Sequence, residues 1–213
     1  MRYILTAAFC FYVLLVAAQK ETNRLDHKAA ISISPLALAD MDNGVMLGGE
    51  YRFRPGYALI LDASYIFHSY YFAEPREVSG FTVRPAFRFY PGNKMSKEFF
   101  QVQGFYKQAD YAFYGWLDKN VVNGVPSYSQ LQDYTYKKEV WGVNFMVGVL
   151  ETLNSGRFYL DITGGLGVRF KRQGVSEPNS QMRQRQNMGI YKDKMTTISL
   201  PCNVKLAYGL GRR

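Results

Sequence analysis

GFTVRPAFRFYPG, residues 80–92, puts Phe81, Val83, Pro85, Phe87 and Phe89 on one parity and Thr82, Arg84, Ala86, Arg88 and Tyr90 on the other. Alternation with period two is the pattern of a β-strand with one apolar and one polar face. The same pattern has two meanings. In a water-soluble sandwich or barrel the phenylalanines form the core and the arginines are wet. In a membrane barrel the phenylalanines meet lipid and the arginines line the inside. The strand alone does not choose, so the choice falls to the rest of the chain.

The N-terminus bears on the compartment. Met1-Arg2 is a short positive start, residues 3–18 (YILTAAFCFYVLLVAA) are uncharged and apolar, and Val16-Ala17-Ala18 closes the run with small residues. This predicts a secretory signal peptide over 1–18, cleaved after Ala18, then a short segment over 19–28 and a single domain over 29–213. Cleavage removes one Arg and no acid, so the formal charge falls from +9 to +8, and Cys202 is left without a second cysteine. A disulfide-stapled secreted domain is thereby excluded. No later run approaches the ~18 to 20 apolar residues of a spanning helix. Yet 47% of the chain is hydrophobic and 16% aromatic, a heavy apolar load that suits an outer-membrane barrel.

Eight stretches alternate in this way: 29–38, 45–53, 58–69, the opening stretch, 99–107, 139–150, 157–170 and 198–210. Pro35 disturbs the first of them and marks an edge or a bulge. Turn chemistry separates several of them, as in Asp42-Asn43-Gly44, Pro55-Gly56, Pro91-Gly92-Asn93 and Asn154-Ser155-Gly156. The connections alternate in length. Those over 54–57, 91–98 and 151–156 are short; those over 70–79, 108–138 and 171–197 are long. Short turns on one rim and long loops on the other are the habit of outer-membrane barrels, whose long loops lie outside the cell. Rings are also placed in two sets. Tyr51, Phe53, Phe87, Phe89, Phe158 and Tyr208 fall toward the short-turn rim, and Tyr65, Phe67, Phe81, Tyr106, Trp141 and Phe170 toward the other. Aliphatic residues such as Leu61, Val102 and Val147 lie between, as expected of two aromatic girdles around a lipid-facing band.

The polar parity then lines the interior, with Glu50, Arg52, Asp62, Arg84, Arg88, Asp161, Arg169 and Lys205 as its charged members. An eight-stranded barrel is only wide enough for side chains to fill, and buried charges persist there in pairs. The expected plug pairs Asp161 with Lys205 and Asp62 with Arg52 or Arg84, while Gly148 and Gly165 make room for long arginines. For catalysis, Asp62, Ser64 and His68 share the inward parity of one strand but are spread along it, and no second histidine cluster accompanies them. No metal-ligand spacing, phosphate loop or cofactor motif is present. Lys171, Arg172, Arg183, Arg185, Lys192 and Lys194 make the last long loop basic and suggest contact with lipopolysaccharide phosphates. Export argues against nucleic acid as the partner.

ISISPLAL (31–38), GGEYRF (48–53), the opening stretch, FYLDITGGLGVRF (158–170) and LPCNVKLAYGLG (200–211) resemble a family of small outer-membrane β-barrel proteins of uncharacterised function from Bacteroides-type Gram-negative bacteria. The resemblance implies the fold and the membrane, and it supplies no catalytic residues. The expectation is an all-β, antiparallel, up-and-down transmembrane barrel of about eight strands. Its expected role is non-enzymatic, structural or surface-interacting, with outer-membrane lipid as the surrounding partner. Two alternatives stand beside it: a soluble barrel holding an apolar ligand against the Phe/Val face, and a lipid-modifying membrane enzyme that uses His68.

Overall fold

The computed structural model describes residues 27–39, 42–70, 72, 75–91, 98–153, 157–182 and 194–211. The expected signal peptide and most of the 19–28 segment lie outside them. The chain is all-β. Its strands are β1 (Ala29–Ser34), β2 (Asp42–Arg54), β3 (Tyr57–Ser69), β4 (Glu77–Phe89), β5 (Glu98–Lys119), β6 (Tyr128–Leu153), β7 (Phe158–Val175), β8 (Gln181–Met182), β9 (Lys194–Ser199) and β10 (Cys202–Leu210). Each strand pairs antiparallel with its sequence neighbour from β1 through β7, and β10 joins β7 to β1, so the sheet closes on itself. β9 and β10 are two pieces of one wall strand, interrupted at Leu200-Pro201. Counted that way, eight strands make an up-and-down ring, closed along the β1–β10 ladder, while β9 pairs with β7 alone.

The parity of the opening stretch resolves as polar inward. Arg88 is 0% exposed, and Thr82 and Tyr90 are buried with it, while Phe81, Phe87 and Phe89 stand on the outside. The same holds around the wall: Leu61, Val102, Phe145, Val147 and Leu166 are exposed, and Asp62, Gln101, Asn144 and Asp161 are buried. On that outer face Phe53, Tyr57, Phe87 and Phe89 cluster beside the Pro55-Gly56 turn, with Tyr57 and Phe89 centroids 5.3 Å apart. Toward the other end Trp141 stacks on Phe170 at 4.3 Å and Phe81 meets Tyr106 at 5.9 Å.

Four expectations need correction. The 108–138 stretch is not a loop: β5 and β6 run on as a paired ribbon to Lys119 and Tyr128, closing in a turn where Asn120, Asn123 and Gly124 take positive φ. The ribbon continues because its alternation continues. Ala109, Tyr111, Phe113 and Leu117 are buried on one face, and Ile66, Tyr136 and Met182 pack with the first three of these against Phe72 and Val78. At ~3.3 Å per residue the extra length of β5 over β3 is on the order of 30 Å. Second, β1 ends at Ser34, and Pro35–Ala39 turns into a 3-10 helix, because proline cannot donate to the ladder. Third, the last wall strand starts earlier, at Lys194, and is split by Pro201. Fourth, His68 does not share the inward face of Asp62 and Ser64. The register slips between Asn43 and Gly44, leaving Phe67 as an extra residue on β3, so His68 turns outward against Tyr70 and Ser69 turns in.

Candidate functional site

The interior has two tiers. The lower one, near the short turns, is a closed charged plug. Arg88 uses all five of its N–H donors. Nη2 donates to Asp161 Oδ2 at 2.7 Å and Gln101 Oε1 at 2.8 Å, Nε donates to the same Gln101 oxygen at 3.0 Å, and Nη1 reaches Glu50 Oε2 at 3.3 Å and the Tyr90 hydroxyl at 3.4 Å. Its guanidinium lies 3.6 Å from the Phe99 ring centroid. Arg52 Nε donates to Glu50 Oε1 at 2.5 Å and the Tyr90 hydroxyl donates to the same oxygen at 3.0 Å. Two cations and two carboxylates thus neutralise one another away from water, the condition under which buried charge is tolerated.

Asp62 and Lys205 form the second pair, Nζ to Oδ2 at 2.6 Å. This corrects the expected partners. Lys205 is the register neighbour of Asp161 and Asp62 that of Arg84, but Arg88 reaches across to take Asp161. Lys205 instead crosses two strands to Asp62, over Ser32 and Gly48. A Cβ on Gly48 would fall 2.2 Å from Asp62 Oδ1 and 2.5 Å from Ser32 Oγ, so glycine is what opens that route. Gly49, the next residue, faces outward with nothing near its Cβ position. Gly48→Ala is therefore expected to lower stability by about 1–3 kcal/mol while Gly49→Ala is near neutral, read as the shift in urea midpoint of the folded barrel. The other two glycine expectations also change. Gly148 makes room for the Phe99 ring beneath Arg88, with a Cβ-to-Cζ approach of 2.4 Å, and Gly165 lets the Phe145 backbone come close.

The upper tier is built on Asp42. Its Oδ2 receives Lys107 Nζ at 2.8 Å and Lys138 Nζ at 2.7 Å, and its Oδ1 receives the Ser69 hydroxyl at 2.6 Å and the Tyr111 hydroxyl at 2.7 Å. The sequence reading missed this centre: Asp42 had the look of a turn residue, and Lys107 and Lys138 stood at the ends of the presumed loop. Their inward parity on β5 and β6 is the signal that finds them. Between the tiers is a cavity of about 590 Å³ that Arg84 and Arg169 line together with Asp42, Lys107 and Lys138. Arg84 and Arg169 were expected in the plug and belong here instead. Arg169 lies over the Phe105 ring at 5.7 Å and stays exposed.

The six basic residues expected in one loop do not form one. Lys171 and Arg172 are on β7, Lys171 facing the cavity and Arg172 facing outward. Lys194 opens β9 as the register partner of Arg172 and is exposed beside it. Arg183, Arg185 and Lys192 lie outside the described residues. At the ribbon, Lys119 forms an ion pair with Glu177, which also accepts from Gln132 Nε2 at 2.7 Å. The Lys119 hydrogen bond holds the Glu177 carboxyl below its ordinary range.

The comparisons with known proteins add a family and no activity. Residues 8–206 match the profile of a protein family described as protein of unknown function (DUF3575), and the chain belongs to that family. Neither the curated proteins nor the solved structures contain a match.

Proposed function

We propose that the chain is a non-enzymatic outer-membrane β-barrel protein, exported on a signal peptide over residues 1–18, that acts at the cell surface through its β5–β6 ribbon. The observation that carries the reading is the inverted wall: apolar and aromatic side chains outside, hydrogen-bonded charges inside. Water-soluble proteins rarely expose contiguous apolar patches beyond a few hundred Å², whereas an outward apolar band between ring girdles suits a bilayer. Facing the phenylalanines outward removes the ground for the soluble alternative, which needs them against a ligand.

Surface interaction is favoured over transport because the lower plug fills the bore. The ribbon projects from the long-connection rim and carries Tyr114, Trp116 and Tyr128 exposed, amphipathic rings of the type enriched at protein interfaces. A catalytic role for His68 loses its support, since the bulge turns the imidazole away from Ser64 and Asp62. For lipopolysaccharide, the reading narrows to Arg172 and Lys194, adjacent outward cations just beyond the Trp141–Phe170 pair, where outer-leaflet phosphates would lie.

Electrophoresis of the outer-membrane fraction with and without boiling tests the reading. A closed barrel keeps its fold in cold dodecyl sulfate, so the unboiled protein is expected to run ahead of the boiled one. A water-soluble protein with one mobility in both lanes would overturn it.

A further inference from the structure

One side of the ribbon carries backbone groups that no described strand meets. β7 pairs with β6 as far as Tyr136 and Val175, and Ser176 N donates once more to the Thr135 carbonyl at 2.9 Å. From Tyr134 to Tyr128 no described strand or backbone hydrogen bond follows on this side of β6. The described chain leaves it: Glu177 meets Lys119 and Gln132 on the inner face, and β8 pairs with β5 on the opposite edge. Strand residues point their N–H and C=O groups alternately to the two sides. Since Thr135 points its carbonyl toward β7, Ser129, Leu131 and Asp133 point theirs out along the same edge.

Exposed edges are usually blunted by lysine, proline or a bulge. Residues 128–134 (YSQLQDY) have none of these, and their single charge, Asp133, is paired with Arg76 at 3.0 Å. The stretch also reads almost the same in both directions. Laid antiparallel against itself about Leu131, it sets leucine on leucine, Gln130 on Gln132, Tyr128 on Tyr134 and Ser129 on Asp133. No charge opposes its own sign, and matched cross-strand pairs are what stabilise a sheet. The backbone phase fits as well. Leu131 with Leu131, and Ser129 with Asp133 twice over, become hydrogen-bonded pairs, about six backbone bonds in all.

We infer that the β6 edge over residues 128–134 is a self-association site, pairing antiparallel with the same edge of a second copy across a two-fold axis at Leu131. Such an interface is isologous, the same patch on both sides, and the main chain supplies its hydrogen bonds as in strand addition. Antiparallel pairing points the two ribbons in opposite directions and puts the barrels at opposite ends of the joined sheet. Here the inference rests on the membrane-barrel reading. Barrels so placed do not share a bilayer, so the two copies sit in facing membranes and join them.

The test uses the full chain with Cys10→Ser, Cys202→Ser and one added cysteine, folded in dodecyl maltoside and oxidised with copper phenanthroline. Across the axis the two Leu131 Cα atoms would be about 5.5 Å apart, within the ~4.4 to 6.8 Å that a disulfide spans. Ser129 opposes Asp133, so its own two copies would be about 14 Å apart. Leu131→Cys is therefore expected to cross-link about tenfold faster than Ser129→Cys, or more. Vesicles carrying the chain without added cysteine are expected to cluster, read as a rise in light scattering, and Leu131→Pro to slow clustering about tenfold. The Leu131 N–H points out of the ribbon, so proline there leaves the β5 ladder whole. Equal cross-linking at both positions would mean chance collision or parallel pairing and overturns the inference. So does no cross-link, or clustering untouched by Leu131→Pro, from a protein that still shifts on boiling. Cross-linking at 131 without clustering overturns the arrangement in facing membranes, whereas loss of the boiling shift itself counts against the membrane-barrel reading.

Discussion

Arg88→Ala is expected to cost the barrel about 3–5 kcal/mol and to abolish the fast-running unboiled band at moderate urea. The size follows from what the truncation strands. Asp161 loses its described ion-pair partner, Glu50 keeps Arg52 and the Tyr90 hydroxyl, and the Gln101 carbonyl loses two donors. All three groups are buried. Arg88→Lys is expected to recover little, since an ammonium offers three donors where five acceptor contacts are arranged in a plane. The Asp62–Lys205 pair provides the contrast. Lys205→Ala leaves a buried carboxylate and is destabilising to a similar extent, but Asp62→Leu combined with Lys205→Met removes both charges and is expected to regain most of the loss. Urea midpoints of the refolded variants in one detergent measure all four.

Phe145→Arg is the second large effect. Phe145 is 66% exposed on β6, flanked on its face by Val143 and Val147, so most of its side chain is uncovered by the described residues. In lipid vesicles the substitution is expected to cost about 2–4 kcal/mol, the penalty for a guanidinium near the bilayer midplane. In water the same change at an exposed site would be close to neutral or even improve solubility. Refolding yield into vesicles of the Arg variant against Phe145→Leu, which keeps the side chain apolar, gives the comparison. A variant that inserts as well as the leucine control would argue that this face never meets lipid.

The wall was legible in the sequence because a strand announces itself in parity, and the inverted burial of this wall leaves that parity intact. The charged plug was legible as a set but not as pairs. Neighbours in register can be counted from spacing, whereas Arg88 reaching Asp161 and Lys205 reaching Asp62 depend on which intervening residues are small; Gly48 decides the second. The ribbon was hidden by its rings. Tyr111, Trp116 and Tyr136 read as loop decoration until the burial of Ala109, Tyr111, Phe113 and Leu117 shows the inner side of a continuing strand, with Trp116 on its outer side and Tyr136 on the paired β6. His68 was misplaced by one residue of bulge, the smallest irregularity that reverses a face. Asp42 illustrates a different loss: an Asp-Asn-Gly run has strong turn chemistry, yet the two lysines and two hydroxyls that converge on it pull its side chain into the bore.

Nitroxide labels placed one at a time at residues 141–149, in the Cys10→Ser, Cys202→Ser chain reconstituted in vesicles, test the central claim most directly. The account predicts an alternation of period two. Labels at 141, 143, 145, 147 and 149 collide readily with dissolved oxygen and poorly with a water-soluble nickel complex, and those at 142, 144, 146 and 148 are shielded from oxygen by the barrel wall. If the odd positions were instead relaxed mainly by the nickel complex, the phenylalanine face would be in water, and the outer-membrane reading would be wrong.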